Sequence, residues 1–278
     1  MVATPIGNLA DITLRALHLL GLVDVVACED TRHTASLLQA YGLHKPLLAL
    51  HQHNEAEAAV GVIERLQRGE RVAYVSDAGT PGISDPGARL CAAVQAAGLR
   101  CVPLPGASSV TTLLSVAGLA VTETDAAFEF TGFLPAKGAA RVQALRRLAQ
   151  QQHACVLLEA PHRIQALARD LGEFGERRIT LGRELSKQFE QIVTLRCDEF
   201  ADWLAADAVH AKGEFALALH PLARAVAEAG PDAEALRVLR LLLAELPLKG
   251  AARLAAEITG ASKNALYQAG LALKPTRD

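Results

Sequence analysis

Paired cysteines are missing from this chain. Its five cysteines, Cys28, Cys91, Cys101, Cys155 and Cys197, are odd in number and form no C-x-x-C pair, which excludes a disulfide framework and the usual zinc spacing. Most fall inside apolar runs and read as buried reduced thiols, so no metal is expected. Long hydrophobic runs are missing as well, because Arg237, Arg240 and Glu245 interrupt the best membrane-spanning candidate. The amino terminus carries Pro5 and Gly7 and lacks a basic lead, so no signal peptide is expected. Positive charge is not in excess: a formal net charge of −2 excludes a globally basic nucleic-acid binder and leaves room only for a local basic face. These absences together predict a soluble cytoplasmic protein. Aromatics are few, at 4%, against 51% hydrophobic residues rich in Ala and Leu, which predicts many helices.

Several signature loops are also absent. No G-x-G-x-x-G follows the first strand and there is no P-loop, so neither a dinucleotide fold nor an NTPase has support. No G-x-S-x-G elbow marks a serine hydrolase; Ser108 and Ser109 follow a Pro-Gly turn instead. His51 and His53 stand two residues apart with no third ligand nearby, which reads as a solvated loop rather than a metal site.

What is present is alternation. Short β-branched runs at Val2–Thr4, Val23–Cys28, Leu47–Leu50, Val72–Ser76 and Cys101–Leu104 are separated by helical periodicity, which predicts a mostly parallel sheet covered on both faces. The first run is short, as though the chain began inside that strand. A break near Ala120–Ala127 precedes a second alternating unit, with strands at Phe128–Phe130, Val156–Leu158, Ile179–Arg183, Gln191–Leu195 and Phe215–Leu219. The segment His220–Asp232 reads as a linker, and helices follow at Ala233–Leu246, Ala251–Ile258 and Asn264–Leu271. The expected division is therefore an α/β domain over 1–120, a second α/β domain over 121–222, and a linker with a helical tail over 223–278.

Polar loops end almost every strand of the first unit. Thr4-Pro5-Ile6-Gly7-Asn8 comes first, with Asp11 as a candidate helix cap. Glu29-Asp30-Thr31-Arg32-His33-Thr34, His51-Gln52-His53-Asn54-Glu55 and Pro105-Gly106-Ala107-Ser108-Ser109 follow. The densest runs from Val75 to Gly87 and holds two aspartates, three glycines and two prolines, a shaped turn with exposed amides. The carboxyl edge of a parallel sheet is where open α/β folds bind ligands, so these loops together predict a small-molecule site.

The ordered motifs make the chain recognisable. Val2-Ala3-Thr4-Pro5-Ile6-Gly7-Asn8-Leu9, the loops at Glu29, His51 and Ser76, Pro105-Gly106, Gly132-Phe133-Leu134-Pro135, Pro161-His162-Arg163 and Glu245-Leu246-Pro247-Leu248-Lys249 occur in sequence. In these the chain resembles, over essentially its whole length, the RsmI type of bacterial small-subunit ribosomal RNA (cytidine-2′-O)-methyltransferases, within the tetrapyrrole-methylase superfamily. The resemblance implies S-adenosylmethionine (SAM) between two α/β domains, a homodimer, and methylation of a cytidine ribose hydroxyl in small-subunit ribosomal RNA. It implies a SAM site built from Pro5, Ala78, Gly79, Thr80, Ile83, Ser108 and Ser109, with Leu158, Glu159 and Ala160 flanking the adenine. Thr80 stands where superfamily relatives often carry Asp, which leaves Asp77 to supply a carboxylate. Leu195 stands where a glycine is expected beside the adenine.

Methyl transfer from a sulfonium has a good leaving group, so alignment supplies much of the rate, and a weak ribose nucleophile gains from a base or a cation. Asp30, Arg32 and His33 offer both on one loop and are the expected catalytic residues; the alternative is an Asp30–Arg32 salt bridge that only shapes the loop. RNA contact is expected from Lys137, Arg141, Arg146, Arg147, Arg177, Arg178, Arg183 and Lys187, and from Lys249, Arg253, Lys263 and Lys274 in the tail. The tail is either a helix-turn-helix-type module with Ser262 as an N-cap or a helical hairpin packed in the dimer, since Leu254, Ile258 and Leu266 need a core. Two other functions share these features: a tetrapyrrole C-methyltransferase, which would not need a basic helical tail, and a non-catalytic RNA-binding or ribosome-assembly factor that keeps the fold.

Overall fold

The computed structural model describes residues 1–51, 54–84, 87–119, 127–222 and 233–273. Gln52, His53, Asp85, Pro86, the break at 120–126, the linker at 223–232 and Lys274 lie outside the described residues. The chain forms two compact units, 1–222 and 223–278.

The first unit holds two sheets. The first is built on β1 (Val25–Cys28), paired in parallel with β2 (Leu47–Ala49) on one side and β3 (Val72–Val75) on the other. All of β1 is buried, as a strand covered on both faces requires. Helices α1 (Leu14–Leu22) and α2 (Thr31–Ala40) close one face through Ala16, Leu20 and Leu38. Helices α3 (Glu55–Gln67) and α4 (Ala88–Ala96) close the other through Ala59, Val62, Leu90 and Val94.

Beyond β3 the sheet continues only as single bridges, Val2 to Val75 and Val2 to Leu104, both parallel. The strands expected at Val2–Thr4 and Cys101–Leu104 shrink to these residues for local reasons. Thr4 already exchanges backbone hydrogen bonds with Gly79, at 2.9 and 3.1 Å, and Pro103 and Pro105 remove the donors on either side of Leu104. Asp11 does not cap α1. Thr13 does, its hydroxyl accepting from the Ala16 amide at 3.1 Å, while Asp11 lies in a short 3₁₀ turn capped by Asn8.

Helix α5 (Ser109–Val116) leads to the second sheet, packing Leu113 against Ala216 and Ala218. That sheet contains β4 (Phe128–Gly132), β5 (Ala154–Glu159), β6 (Arg178–Arg183), β7 (Gln191–Arg196) and β8 (Phe215–Leu219), in the order β4-β5-β8-β6-β7. Only β4 and β5 run parallel; the other pairings are antiparallel, with β8 inserted between β5 and β6. Helices α6 (Gly138–Gln150), α7 (Ile164–Gly172) and α8 (Phe200–Ala206) cover it around Leu157, Ile164, Leu167, Leu181, Phe200 and Leu217.

The second unit is a three-helix module: α9 (Ala233–Glu245), α10 (Leu248–Thr259) and α11 (Lys263–Leu273). Its core is Ala235, Leu239, Ala251, Ala252, Ala255 and Leu266. Gly260, at φ 73°, ends α10, and the Ser262 hydroxyl accepts from the Ala265 amide at 3.4 Å as α11 begins. Leu266 thus finds its core inside the module, whereas Ile258 stays 64% exposed. Among the described residues no helix is long and apolar enough to cross a membrane, and all five cysteines are free.

Candidate active site

Three of the polar loops, the first, the one after β3 and the one before α5, meet at a cavity of about 320 Å³, a volume within the usual range for a small-molecule site; no described residue of the loops at Glu29 and His51 lines it. It opens beyond the carboxyl ends of β3, β5 and β6, at the start of β8. Ala78, Gly79, Thr80, Ile83, Ser108, Ser109, Glu159 and Ala160 all line it. Pro5 and Asp77 do not. Pro5 is buried behind Ile6, which takes the place on the wall, and one Asp77 carboxylate oxygen accepts from the Asp30 amide at 3.1 Å.

The loop after β3 is laced to the first loop and to the one before α5. Gly79 sits at φ 82°, a conformation that strains any side chain, and an added Cβ would meet Ile6 at 3.3 Å. Its amide donates to Thr4, so that group is spent on the scaffold. The Ser76 hydroxyl donates to the Gly79 carbonyl at 3.1 Å and the Thr80 hydroxyl to the Ala107 carbonyl at 3.0 Å. Ser108 is the N-cap of α5, so the positive end of that helix opens onto the cavity. Glu55, from the loop after β2, serves the scaffold instead. It is buried, and its carboxylate accepts from the Gly87 and Leu90 amides at 3.1 and 3.2 Å, capping α4.

Glu159 is the most telling residue of the wall. It is 2% exposed, and its Oε1 receives the Ala160 amide at 2.9 Å and the Arg163 guanidinium at 3.0 Å. Its Oε2 has no hydrogen-bond partner among the described residues. The side chain is fully enclosed, on the face of β5 that carries Cys155 and Leu157 into the core, whereas Leu158 on the other face lines the cavity; the Glu159 carboxylate therefore braces the wall from behind.

The expected catalytic trio sits at the end of β1. Asp30 is the N-cap of α2, accepting from the Arg32 and His33 amides at 2.8 and 3.3 Å, and it pairs with the Arg32 guanidinium at 3.0 Å. Those bonds, Arg32's side chain foremost, hold its carboxyl down to about 2, which makes it a poor proton acceptor. Its neighbour Glu29 is different. Burial first, and then the nearby Asp77 charge, push the Glu29 carboxyl up, with His51 opposing. A carboxylate raised by burial and a like charge suits a general base better. The sequence offered no signal for this, because Glu29 and Asp77 lie on different strands.

Basic residues expected to meet RNA divide by burial. Arg177 gives its guanidinium to the carbonyls of His220, Leu148, Gln151 and His153. Arg183 gives its own to Lys212, Phe189 and the Gln191 side chain. Arg141, 11% exposed at its side chain, binds Asp170 and the Pro135 carbonyl. These three hold the fold and are withdrawn from the RNA set. Lys137, Arg146, Arg147 and Arg178 are exposed, and Lys187 is paired with Glu184 and Glu214.

Other wall residues escaped the sequence reading. Gly182 lines the cavity, whereas Leu195 packs on the core of the second sheet and pairs with Ile179; the glycine sought at 195 is met on the neighbouring strand. Glu214 enters through a tight junction in which the Glu184 carboxylate accepts from its amide at 2.9 Å. Glu184 and Ser186 hold positive φ there, at 51° and 64°.

The chain matches the family model for tetrapyrrole (corrin/porphyrin) methylases over residues 1–201 and that for the RsmI C-terminal HTH domain over residues 229–274. It is 50% identical to the ribosomal RNA small subunit methyltransferase I of Pseudomonas aeruginosa, covering 98% of this chain and 95% of that one. The corresponding protein of Vibrio cholerae is 46% identical over 98% of this chain and 93% of its own. Among solved structures, a cobalt precorrin-4 methyltransferase superposes with a TM-score of 0.58 at 18% identity, over 78% of this chain and 92% of that one. Uroporphyrin-III C-methyltransferase from Thermus thermophilus, in complex with S-adenosyl homocysteine, gives 0.52 at 17% identity, over 78% and 94%.

Proposed function

The chain belongs to the ribosomal RNA small subunit methyltransferase I family of tetrapyrrole methylases, and we propose that it moves the methyl group of SAM to the 2′-hydroxyl of a cytidine in small-subunit ribosomal RNA. One observation carries the donor assignment: the amino-terminal end of α5 opens onto a cavity of about 320 Å³ that the loop of Ala78, Gly79 and Thr80 also lines. The free end of α5, at Ser108 and Ser109, suits the donor's carboxylate, and the amides of Ala78, Thr80 and Ile83 remain to meet its polar end. When bound, SAM supplies an activated methyl on a good leaving group. This chain's residues then hold that group in line with the ribose oxygen, keep water out, and take up the hydroxyl proton. We assign the proton to Glu29, beside Asp77, with Asp30 and Arg32 fixing the loop that carries it. Exposed Arg32 remains available to a phosphate.

The acceptor assignment rests on the relatives' names and on the tail. We take 1–120 and 121–222 as the two halves that embrace the donor, the helical module as an RNA-contacting element, the working form as a homodimer, and the cytoplasm as its place of work. Phe189 and Ile192, 68% and 41% exposed at the outer strand β7, suit a dimer contact. The test is transfer of labelled methyl from SAM to small ribosomal subunits lacking the mark, with alkaline hydrolysis of the product. A 2′-O-methyl blocks cleavage at that nucleotide, so loss of one rung of the ladder is expected. Label on a tetrapyrrole instead, or a full ladder, would overturn the reading.

A further inference from the structure

At the far end of β5 from the cavity lies a second group of chemically able side chains. Glu129 on β4 and Cys155 on β5 are partners in the parallel register, so their side chains leave the sheet on one side. His153 precedes Cys155 by two residues and shares that side. His153 Nε2 is 3.2 Å from Glu129 Oε2, and one donor atom from each of the three residues lies within 4.8 Å of the others. We propose that Glu129, His153 and Cys155 form a binding site for one thiophilic divalent cation of the zinc(II) class.

The donor set is what such an ion takes. Thiolate, imidazole and carboxylate bind zinc at about 2.0–2.3 Å in a tetrahedron, and a thiolate with an imidazole selects against magnesium and calcium. Donors around a tetrahedral ion stand about 3–4 Å apart, so closing the cluster asks for a side-chain adjustment and no movement of the strands. Gln151 Nε2 donates to Glu129 Oε2 at 2.9 Å and orients that carboxylate as an outer partner of a metal ligand does. Glu129 and His153 are half-exposed while Cys155 is buried, which gives the ion an entry path and a shielded thiolate.

Charge is balanced as well. Binding forms the zinc–sulfur bond and sends the thiol proton to solvent, with the imidazole neutral. The ion's two positive charges then meet one thiolate and one carboxylate. That matters because Arg177 is close, its guanidinium donating to the His153 carbonyl at 3.5 Å; a neutral centre does not repel it. The sequence concealed the site, because its ligands are an i,i+2 pair and a glutamate from the previous strand.

The ion's role is structural. Cys155 and Glu159 are four residues apart on one strand, about 13 Å, which separates this cluster from the methyl-transfer cavity. Among the described residues β4 is an edge strand paired only with β5, and its register breaks between Phe130 and Gly132. An ion shared by Glu129 and Cys155 clips the intact part of that pairing.

The test uses the full chain, freed of metal by a chelator and titrated with cobalt(II) as the spectroscopic probe. We expect a thiolate-to-cobalt band in the near ultraviolet at one ion per chain, displaced by zinc(II) and missing in Cys155→Ser. His153→Ala and Glu129→Ala leave the buried thiol in place and stand at half-exposed positions, so they retain the fold. Each should weaken cobalt binding at least about tenfold and remove the rise in thermal midpoint that zinc gives the parent chain. No band, a band that survives Cys155→Ser, or unchanged affinity in His153→Ala and Glu129→Ala would each overturn the site.

Discussion

At the scale of single residues, the proposed base Glu29 and the carboxylate of Glu159 behind the cavity wall call for different measurements. Glu159→Ala removes the carboxylate that receives the Ala160 amide at 2.9 Å and the Arg163 guanidinium at 3.0 Å, leaving Arg163 its bond to the Leu134 carbonyl. A hydrogen bond to a charged group contributes about 1.5–3 kcal/mol, so the thermal midpoint should fall, and affinity for S-adenosyl homocysteine, read by calorimetry, should fall with the order of the Ala160 segment that lines the cavity. Glu29→Gln should leave SAM binding intact and cut single-turnover methyl transfer about a hundredfold, the scale of a lost general base. A base works ionised, so the parent's rate should rise with pH through the Glu29 pKa, which lies above that of an ordinary glutamate because burial and Asp77 push it up. Asp30→Asn is the contrast. Asn caps helices well and Asp30, held at about 2, is too weak a base to be missed, so its rate should stay within about tenfold of the parent. The position of these loops was legible in the sequence, since strand ends and glycine-rich turns are local signals. Which carboxylate does what was not, because Glu29 is tuned by a residue from another strand and Asp30 by its own helix.

Elements show the same contrast between local and distant causes. The helices and inner strands follow from periodicity, and α9, α10 and α11 lie where their apolar spacing puts them. The direction of the second sheet does not follow, because strand–helix alternation is equally consistent with the antiparallel return of β6, β7 and β8. The entries to β1 and β3 give a testable case. Arg71, just before β3, donates backbone and side-chain hydrogen bonds to Asp24, just before β1, at 2.7, 3.2 and 3.2 Å. The Arg71 side chain, with its backbone bond second, lowers the Asp24 carboxyl from 3.8 to about 2. A carboxyl depressed in the folded state contributes stability that is full above its unfolded value and disappears as pH falls through the folded one. The thermal midpoint of Asp24→Asn should therefore lie below the parent's by a constant amount at neutral pH. That gap should close between about pH 4 and pH 2.

For the whole molecule the open matter is what the helical module touches. Its own core is complete, and Lys249, Arg253 and Lys263 are exposed, with Arg253 already paired to Glu257 at 3.0 Å. Replacing Lys249 and Lys263 with Gln should weaken binding to small subunits and flatten its salt dependence by up to about two counterions. Arg253→Gln should do less, since that charge is partly satisfied. Deleting 233–278 should leave SAM affinity close to that of the parent. An unchanged salt slope after the double replacement would mean that the module holds protein and not RNA.

The order of the second sheet has a consequence for synthesis. The strand at its centre, β8, is the last one made, and its Phe215 and Ala216 also line the cavity. Until that segment leaves the ribosome, β5 and β6 each present an open edge to the crowded surroundings of a growing chain. A nascent chain short of residue 219 thus has neither a closed sheet nor a finished cavity wall. On the proposed reading of that cavity, competence to bind the methyl donor reports that translation of the first unit is complete.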